Sequence, residues 1–186
     1  MAGQSGASSG SEVSSSRSIA LRPATEADVP LIVTLVHELA EYERLADQCV
    51  ADASNVRAAL FDSKAAELVL AEVDGSTAGY ALFFRSFSTF LMRPGIYLED
   101  LFVRPEFRKQ GVGLALLRHL ARHAVDRGYA RVEWSVLKWN QLAIDFYDRI
   151  GAEPLDGWTT FRLSGAALDS LAGQSGTEGA VLHGGE

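Results

Sequence analysis

Along this chain the apolar residues switch between two spacings, every second residue and every third or fourth, and the switches outline the elements. Ser18 to Arg22 reads as a first strand, closed by Pro23. Thr25 followed by Asp28 is a capping-box-like helix start, where side chains satisfy the first free backbone N–H groups. Ile32, Leu35, Val36, Leu39 and Tyr42 then recur at helical spacing and give that helix one apolar face. A short second helix is expected around Asp52–Phe61. Leu68–Val73 and Thr77–Phe87 are β-type runs joined by Asp74-Gly75, a hairpin-turn pair. Ile96–Val103 is another strand, stopped by Pro105. Leu116, Leu117, Leu120 and Ala124 mark a helix that ends near Gly128, and Arg131–Val136 a strand after it. Ala143, Phe146, Tyr147 and Ile150 mark the next helix, which stops at Gly151, and Trp158–Leu163 reads as a last strand. The order β-α-α-β-β-β-α-β-α-β describes an α/β layered domain with a mixed sheet.

The two ends carry no such pattern. Residues 1–18 hold eight serines and three glycines with only Glu12 and Arg17 charged, and residues 173–186 hold five glycines. Segments of this kind bury too little apolar surface to offset the entropy of ordering them, so both are expected to be disordered tails. The working domain is then 19–172, and 186 residues at 47% apolar leave room for one sizeable core and little more.

Charge narrows the function classes. A formal net charge of −7 disfavours a nucleic-acid partner, which needs a basic patch, and is better suited to attracting a small cation. The single cysteine, Cys49, rules out a disulfide within the chain and fits a reducing compartment. With no histidine near it in sequence, Cys49 reads as a bystander thiol. No apolar run reaches membrane-spanning length, no hydrophobic signal core lies near the N-terminus, and Ala2 stands where myristoylation needs glycine. The expectation is a cytoplasmic protein with no membrane partner.

The candidate chemistry centres on Arg108-Lys109-Gln110-Gly111-Val112-Gly113, between a strand and a helix. A helix N-terminus presents unpaired N–H groups and partial positive charge, and glycines let a bulky anion approach them. Arg108 and Lys109 add cations, so the segment can cradle a pyrophosphate. It can equally be a glycine-rich turn that lets a helix pack closely on the sheet. The spacing matches neither an NTP-binding loop nor a dinucleotide-binding turn.

In context this segment resembles the acetyl-CoA loop of the GNAT superfamily of N-acetyltransferases, Arg/Gln-x-x-Gly-x-Gly/Ala, which follows the fourth strand and opens the third helix. Tyr97-Leu98-Glu99-Asp100-Leu101-Phe102-Val103 resembles the preceding strand of the spermidine/spermine (diamine) branch. So do Trp139-Asn140 with Phe146-Tyr147, Gly157-Trp158, and Leu39-Ala40-Glu41-Tyr42-Glu43. The stretch Val136-Leu137-Lys138-Trp139-Asn140-Gln141 is similar to members that prefer thialysine or related diamino acids. The resemblance covers residues 19–172. It implies the GNAT fold, a mixed and mostly antiparallel sheet with helices on both faces. It implies direct acetyl transfer from acetyl-CoA, as co-substrate, to a small cationic amine, in a homodimer.

Such a transfer requires a neutral nitrogen, whereas an aliphatic amine near pKa 10.4 is almost wholly protonated at pH 7. Glu99 is the candidate base, acting through a water. Neighbours on a strand point to opposite faces, so only one of Glu99 and Asp100 can face a cleft unless a bulge intervenes. On the residues alone the pair are also plain carboxylates at a strand end. Tyr147 is the candidate acid for the departing thiolate, because an ordinary phenol keeps its proton at neutral pH. Its alternative is a core aromatic beside Phe146 and Ile150.

The resemblance assigns cofactor contacts to Leu101, Phe102 and Val103 through their backbone, to Arg108, Lys109, Gln110, Gly111, Val112, Gly113 and Leu114 in the loop, and to Asn140. Asn140 also reads as a helix N-cap. Substrate contacts are implied for Tyr42, Glu43, Glu99 and Asp100, while Glu41, Tyr42 and Glu43 alternatively form a solvated helix end. Asp156 stands near a substrate-binding glutamate of the branch, in a segment a few residues shorter than usual. Ser135 replaces a larger apolar residue of the polyamine enzymes. His119 and His123 lie four apart without a third ligand and read as surface histidines, so no metal is expected. Two other functions remain compatible: acetylation of a protein amine or another amine metabolite, and a non-catalytic acyl-CoA sensor.

Overall fold

The computed structural model describes residues 18–173, so the two expected tails fall, except for Ser18 and Gly173, outside the described residues. The chain divides into two compact units, Met1–Ser135 and Val136–Glu186. The first unit holds β1 (Ile19–Pro23), α1 (Val29–Glu43), α2 (Ala53–Arg57), β2 (Glu67–Val73), β3 (Ser76–Ser88), β4 (Arg93–Val103), α3 (Val112–Asp126) and β5 (Val132–Trp134). The second holds α4 (Gln141–Arg149) and α5 (Ala166–Leu171).

The sheet runs in sequence order, β1-β2-β3-β4-β5. The first four strands are antiparallel and β5 runs parallel to β4, which makes the sheet mixed but mostly antiparallel. Asp74 and Gly75 both take positive φ, 50° and 80°, the left-handed pair that a two-residue hairpin needs. They bring Val73 opposite Ser76 and set the β2–β3 register.

Each face of the sheet is covered by a helix. On one face Val29, Ile32, Leu35 and Leu39 of α1 and Val56 of α2 pack with Leu68, Leu70, Tyr80 and Phe102. These are the apolar positions whose helical spacing predicts α1. On the other, Leu116, Leu117 and Leu120 of α3 are buried, and the Phe83 ring meets the His123 ring edge-on at 5.4 Å. His123 is therefore half-buried against an aromatic ring, and burial moves its pKa down.

Three expectations change. The Thr25–Asp28 box caps a single 3-10 turn at Glu26–Asp28, and α1 proper begins at Val29 with Pro30 in its first turn. The Asp28 carboxylate accepts from the Thr25 N–H at 2.8 Å and also receives both terminal guanidinium nitrogens of Arg22 at 2.8 Å, so the cap ties the helix start to β1. The strand expected at Arg131–Val136 shrinks to Val132–Trp134, and Trp158–Leu163 forms no strand. An alternating run marks only a chain suited to pairing; a strand forms when a neighbour supplies N–H and C=O groups. Phe161 remains 91% exposed. The six-residue α5 is too short for its period to show in the sequence.

Candidate active site

The centre of the site is an irregularity in β4. Leu82 pairs with Asp100 and Phe83 with Leu98, so Glu99 is an extra residue with no partner on β3, a β-bulge. The bulge is the exception foreseen for the Glu99–Asp100 pair. Leu98 lies opposite Phe83, on the α3 face. Strict alternation would keep Asp100 and Phe102 on that face. With one residue inserted, both turn to the α1 face, opposite Leu82 and Tyr80. Glu99 itself is exposed.

The flip decides the electrostatics of Asp100. The Tyr80 side chain is fully buried, and its hydroxyl donates to Asp100 Oδ2 at 3.2 Å. Burial pushes the Asp100 carboxyl up to about 6, the Tyr80 hydrogen bond opposes the rise, and the charges of Glu99 and Glu43 add to it. Glu43, the last residue of α1, is also raised by burial. Burial, with the Asp100 charge second, pushes the Tyr80 phenol well above its ordinary value. Two further carboxylates, Glu43 and Glu99, thus act on Asp100 at the bulge. Sequence reasoning missed Tyr80. Its signal was a tyrosine inside an apolar β run, because a buried phenol needs a partner for its hydroxyl.

Beyond the bulge β4 loses its second neighbour. β5 pairs with β4 only over Ile96–Leu98, and among the described residues no strand continues that side alongside Leu101, Phe102 and Val103. These three residues pair with Ala81, Tyr80 and Gly79 of β3 and keep an edge outside the ladder. Tyr97 and Ser135 mark the place where the strands part, with a hydroxyl–hydroxyl hydrogen bond of 2.9 Å.

The glycine loop leads from this edge into α3. Lys109 and Gly111 have φ of 61° and 87°, and Gly111 is the N-cap of α3 with no side-chain cap. Val112, Gly113 and Leu114 therefore open the helix with their N–H groups directed to whatever lies at its end. The Gln110 side chain donates to Glu106 O at 2.7 Å, which closes the loop on itself. Arg108 is placed differently from a simple phosphate-facing cation. Its Nε donates to Val103 O at 2.9 Å and its guanidinium lies 4.4 Å above the Tyr42 ring.

A cavity of about 480 Å³ adjoins this stacked pair, lined among others by Glu38, Glu41, Tyr42, Phe102 and Arg104. Glu38 takes both Nε and Nη2 of Arg104 at 2.7 Å, and Arg104 Nη1 donates to Thr77 O at 3.1 Å. This bidentate pair fixes the C-terminal end of β4 to α1.

Tyr147, Asn140 and Asp156 belong to the second unit. Tyr147 lies on α4, its ring 5.5 Å from that of Phe146. Asn140 caps α4, its side chain accepting from the Ala143 N–H at 3.3 Å, so the N-cap reading is correct. Asp156 sits in an exposed turn. Among the described residues no three His, Cys, Asp or Glu side chains converge as metal ligands would, and no helix is long and apolar enough to cross a membrane.

The chain is similar to known proteins in sequence and in fold. Residues 34–152 match the acetyltransferase (GNAT) family. The thialysine N-epsilon-acetyltransferase of Sus scrofa is 38% identical over 169 residues, which cover 84% of this chain and 99% of the relative. An L-ornithine N5-acetyltransferase of Arabidopsis thaliana is 32% identical over 197 residues, covering 81% and 86%. Among solved structures, an integron cassette protein from the mobile metagenome of V. cholerae superposes with a TM-score of 0.71 at 24% identity, covering 83% of this chain and 97% of its own.

Proposed function

The chain belongs to the acetyltransferase (GNAT) family and is an acetyltransferase, and on that premise we propose that it moves the acetyl group of acetyl-CoA directly to a primary amine of a small diamino acid or diamine. The observation that carries the acceptor is the trio Glu43, Glu99 and Asp100, gathered by the β4 bulge. Carboxylates so arranged attract a molecule with more than one ammonium group. Relatives that are named for thialysine and for ornithine support a diamino acid over a polyamine.

The donor reading rests on the loop. The uncapped N-terminus of α3, with left-handed Lys109 and Gly111, fits a pyrophosphate, and the edge of Leu101–Val103 fits the amides of a pantetheine arm. An N–H on that edge then polarises the thioester carbonyl. Arg108, bonded to Val103 O, keeps the edge and the loop in one arrangement. Glu99, exposed beside the half-buried Asp100, takes the ammonium proton through a water, and Tyr147 returns a proton to the thiolate. Holding amine and thioester together supplies much of the acceleration. Asn140 serves as α4 cap and cofactor contact together, and Asp156 is a secondary contact for the far end of the acceptor. The catalytic domain is 19–172, consistent with a family match that runs across both units. It works as a cytoplasmic homodimer.

The test is an amine panel of thialysine, ornithine, spermidine and a lysine peptide, with free thiol measured as CoA is released. Fastest release is expected with the diamino acids. Release with the peptide alone overturns the acceptor, and release with no amine overturns catalysis in favour of an acyl-CoA sensor.

A further inference from the structure

We propose that Tyr80 is a positioning residue for the acceptor, holding Asp100 as an oriented anion that receives an ammonium group. The inference rests on the functional reading above and adds a residue to it. Tyr80 lies on β3, fully buried, with its ring 6.2 Å from Phe102, so packing leaves the hydroxyl one direction. That direction ends at Asp100 Oδ2, 3.2 Å away. Toward a carboxylate, which has no proton of its own, the phenol can only donate, and the charged form that accepts is stabilised. With Oδ2 occupied, Oδ1 is the oxygen left to an incoming ammonium.

The surroundings explain why such a donor is needed. The ionisable groups that act on Asp100 are Tyr80 from β3, Glu99 from β4 and Glu43 from α1; those that act on Tyr80 are Asp100, Glu43 and Cys49. None of these is a cation. Burial and two like charges all favour the protonated carboxylic acid, and the Tyr80 hydroxyl is the one group among them that favours the carboxylate. Without it Asp100 holds its proton to higher pH and loses its attraction for the amine. A cationic acceptor stabilises the same carboxylate, so acceptor and Tyr80 act in the same direction.

The sign of the test follows. Tyr80→Phe keeps the ring in the core and removes only the donor. The Asp100 carboxyl resonance, followed by ¹³C NMR and assigned with Asp100→Asn, is expected to titrate at higher pH in Tyr80→Phe than in the wild type. With ornithine as probe, the KM for the amine at pH 5 is expected to rise about fivefold, the equivalent of one hydrogen bond near 1 kcal/mol. It recovers at pH 8.5, and the KM for acetyl-CoA does not move. Asp100→Asn is expected to remove this acid limb, and adding Tyr80→Phe to it produces no further pH dependence. An unchanged Asp100 titration overturns the proposal, as does an acid limb that survives in Asp100→Asn, or a loss equal at every pH. Failure of the functional reading has a different signature: no amine releases CoA in the wild type, while the NMR titration still reports on the Tyr80–Asp100 bond.

Discussion

At Tyr147 and Asp100 the assigned roles lead to opposite costs. Tyr147 is asked to deliver a proton in the transition state, so Tyr147→Phe is expected to lower kcat about a hundredfold or more while acetyl-CoA still binds normally. Steady-state rates together with calorimetric binding of acetyl-CoA check this, and normal turnover removes Tyr147 from the mechanism. Asp100 is asked to stay charged where burial opposes charge. Its native value of about 6 lies above the roughly 3.9 of an unfolded aspartate, so the native state holds the proton more tightly. Stability from this group is therefore greatest in acid and falls as pH rises through about 4 to 6. Asp100→Asn, which can still accept from Tyr80, is expected to stabilise the fold at pH 7.5 by about 2–3 kcal/mol and to lose that advantage near pH 4. Thermal unfolding of both proteins at the two pH values measures it; equal melting temperatures at pH 7.5 count against a buried anion. A stabilising substitution that impairs acceptor binding is the trade-off expected where a site keeps a strained charge.

Among the elements, the loop and α3 form the proposed donor site, and Gly111 is the joint between them. Its φ of 87° is natural for glycine, and a Cβ there would meet only Ile19 Cδ1 at 3.8 Å. The cost of Gly111→Ala is therefore backbone strain of about 1 kcal/mol, borne where the first N–H groups of α3 are aimed. The KM for acetyl-CoA is expected to rise several-fold with the amine KM unchanged, and an unchanged acetyl-CoA KM dissociates the loop from donor binding. This loop was readable in the sequence because glycine spacing encodes backbone conformation directly. The α1 face was readable because Ile32, Leu35 and Leu39 repeat with the helical period and are buried together. The strand at Trp158–Leu163 was misread for the complementary reason: its alternation is a property of the segment, whereas pairing belongs to two segments.

Over the whole molecule the charge of −7 acts before any contact forms. A dicationic acceptor approaching an acidic protein gains from the long-range field, and salt screens that gain beyond about 8 Å at physiological ionic strength. The value of kcat/KM for a diamino acid ester, with two positive charges and no free carboxylate, is expected to fall as salt rises from 50 to 300 mM. A monoamine should fall less, and equal slopes for the two remove the field from the account. The sequence by itself determined the α/β class, the glycine loop at Arg108–Gly113, the strand that carries Glu99 and Asp100, and the helix that carries Tyr147, because periodicity and glycine spacing are local. Tertiary structure alone decided that Glu99 is bulged, that Asp100 turns to Tyr80 and Glu43, and that Arg108 stacks on Tyr42. Those outcomes depend on strand register and on burial between segments distant in sequence, and neither is a property of any one segment.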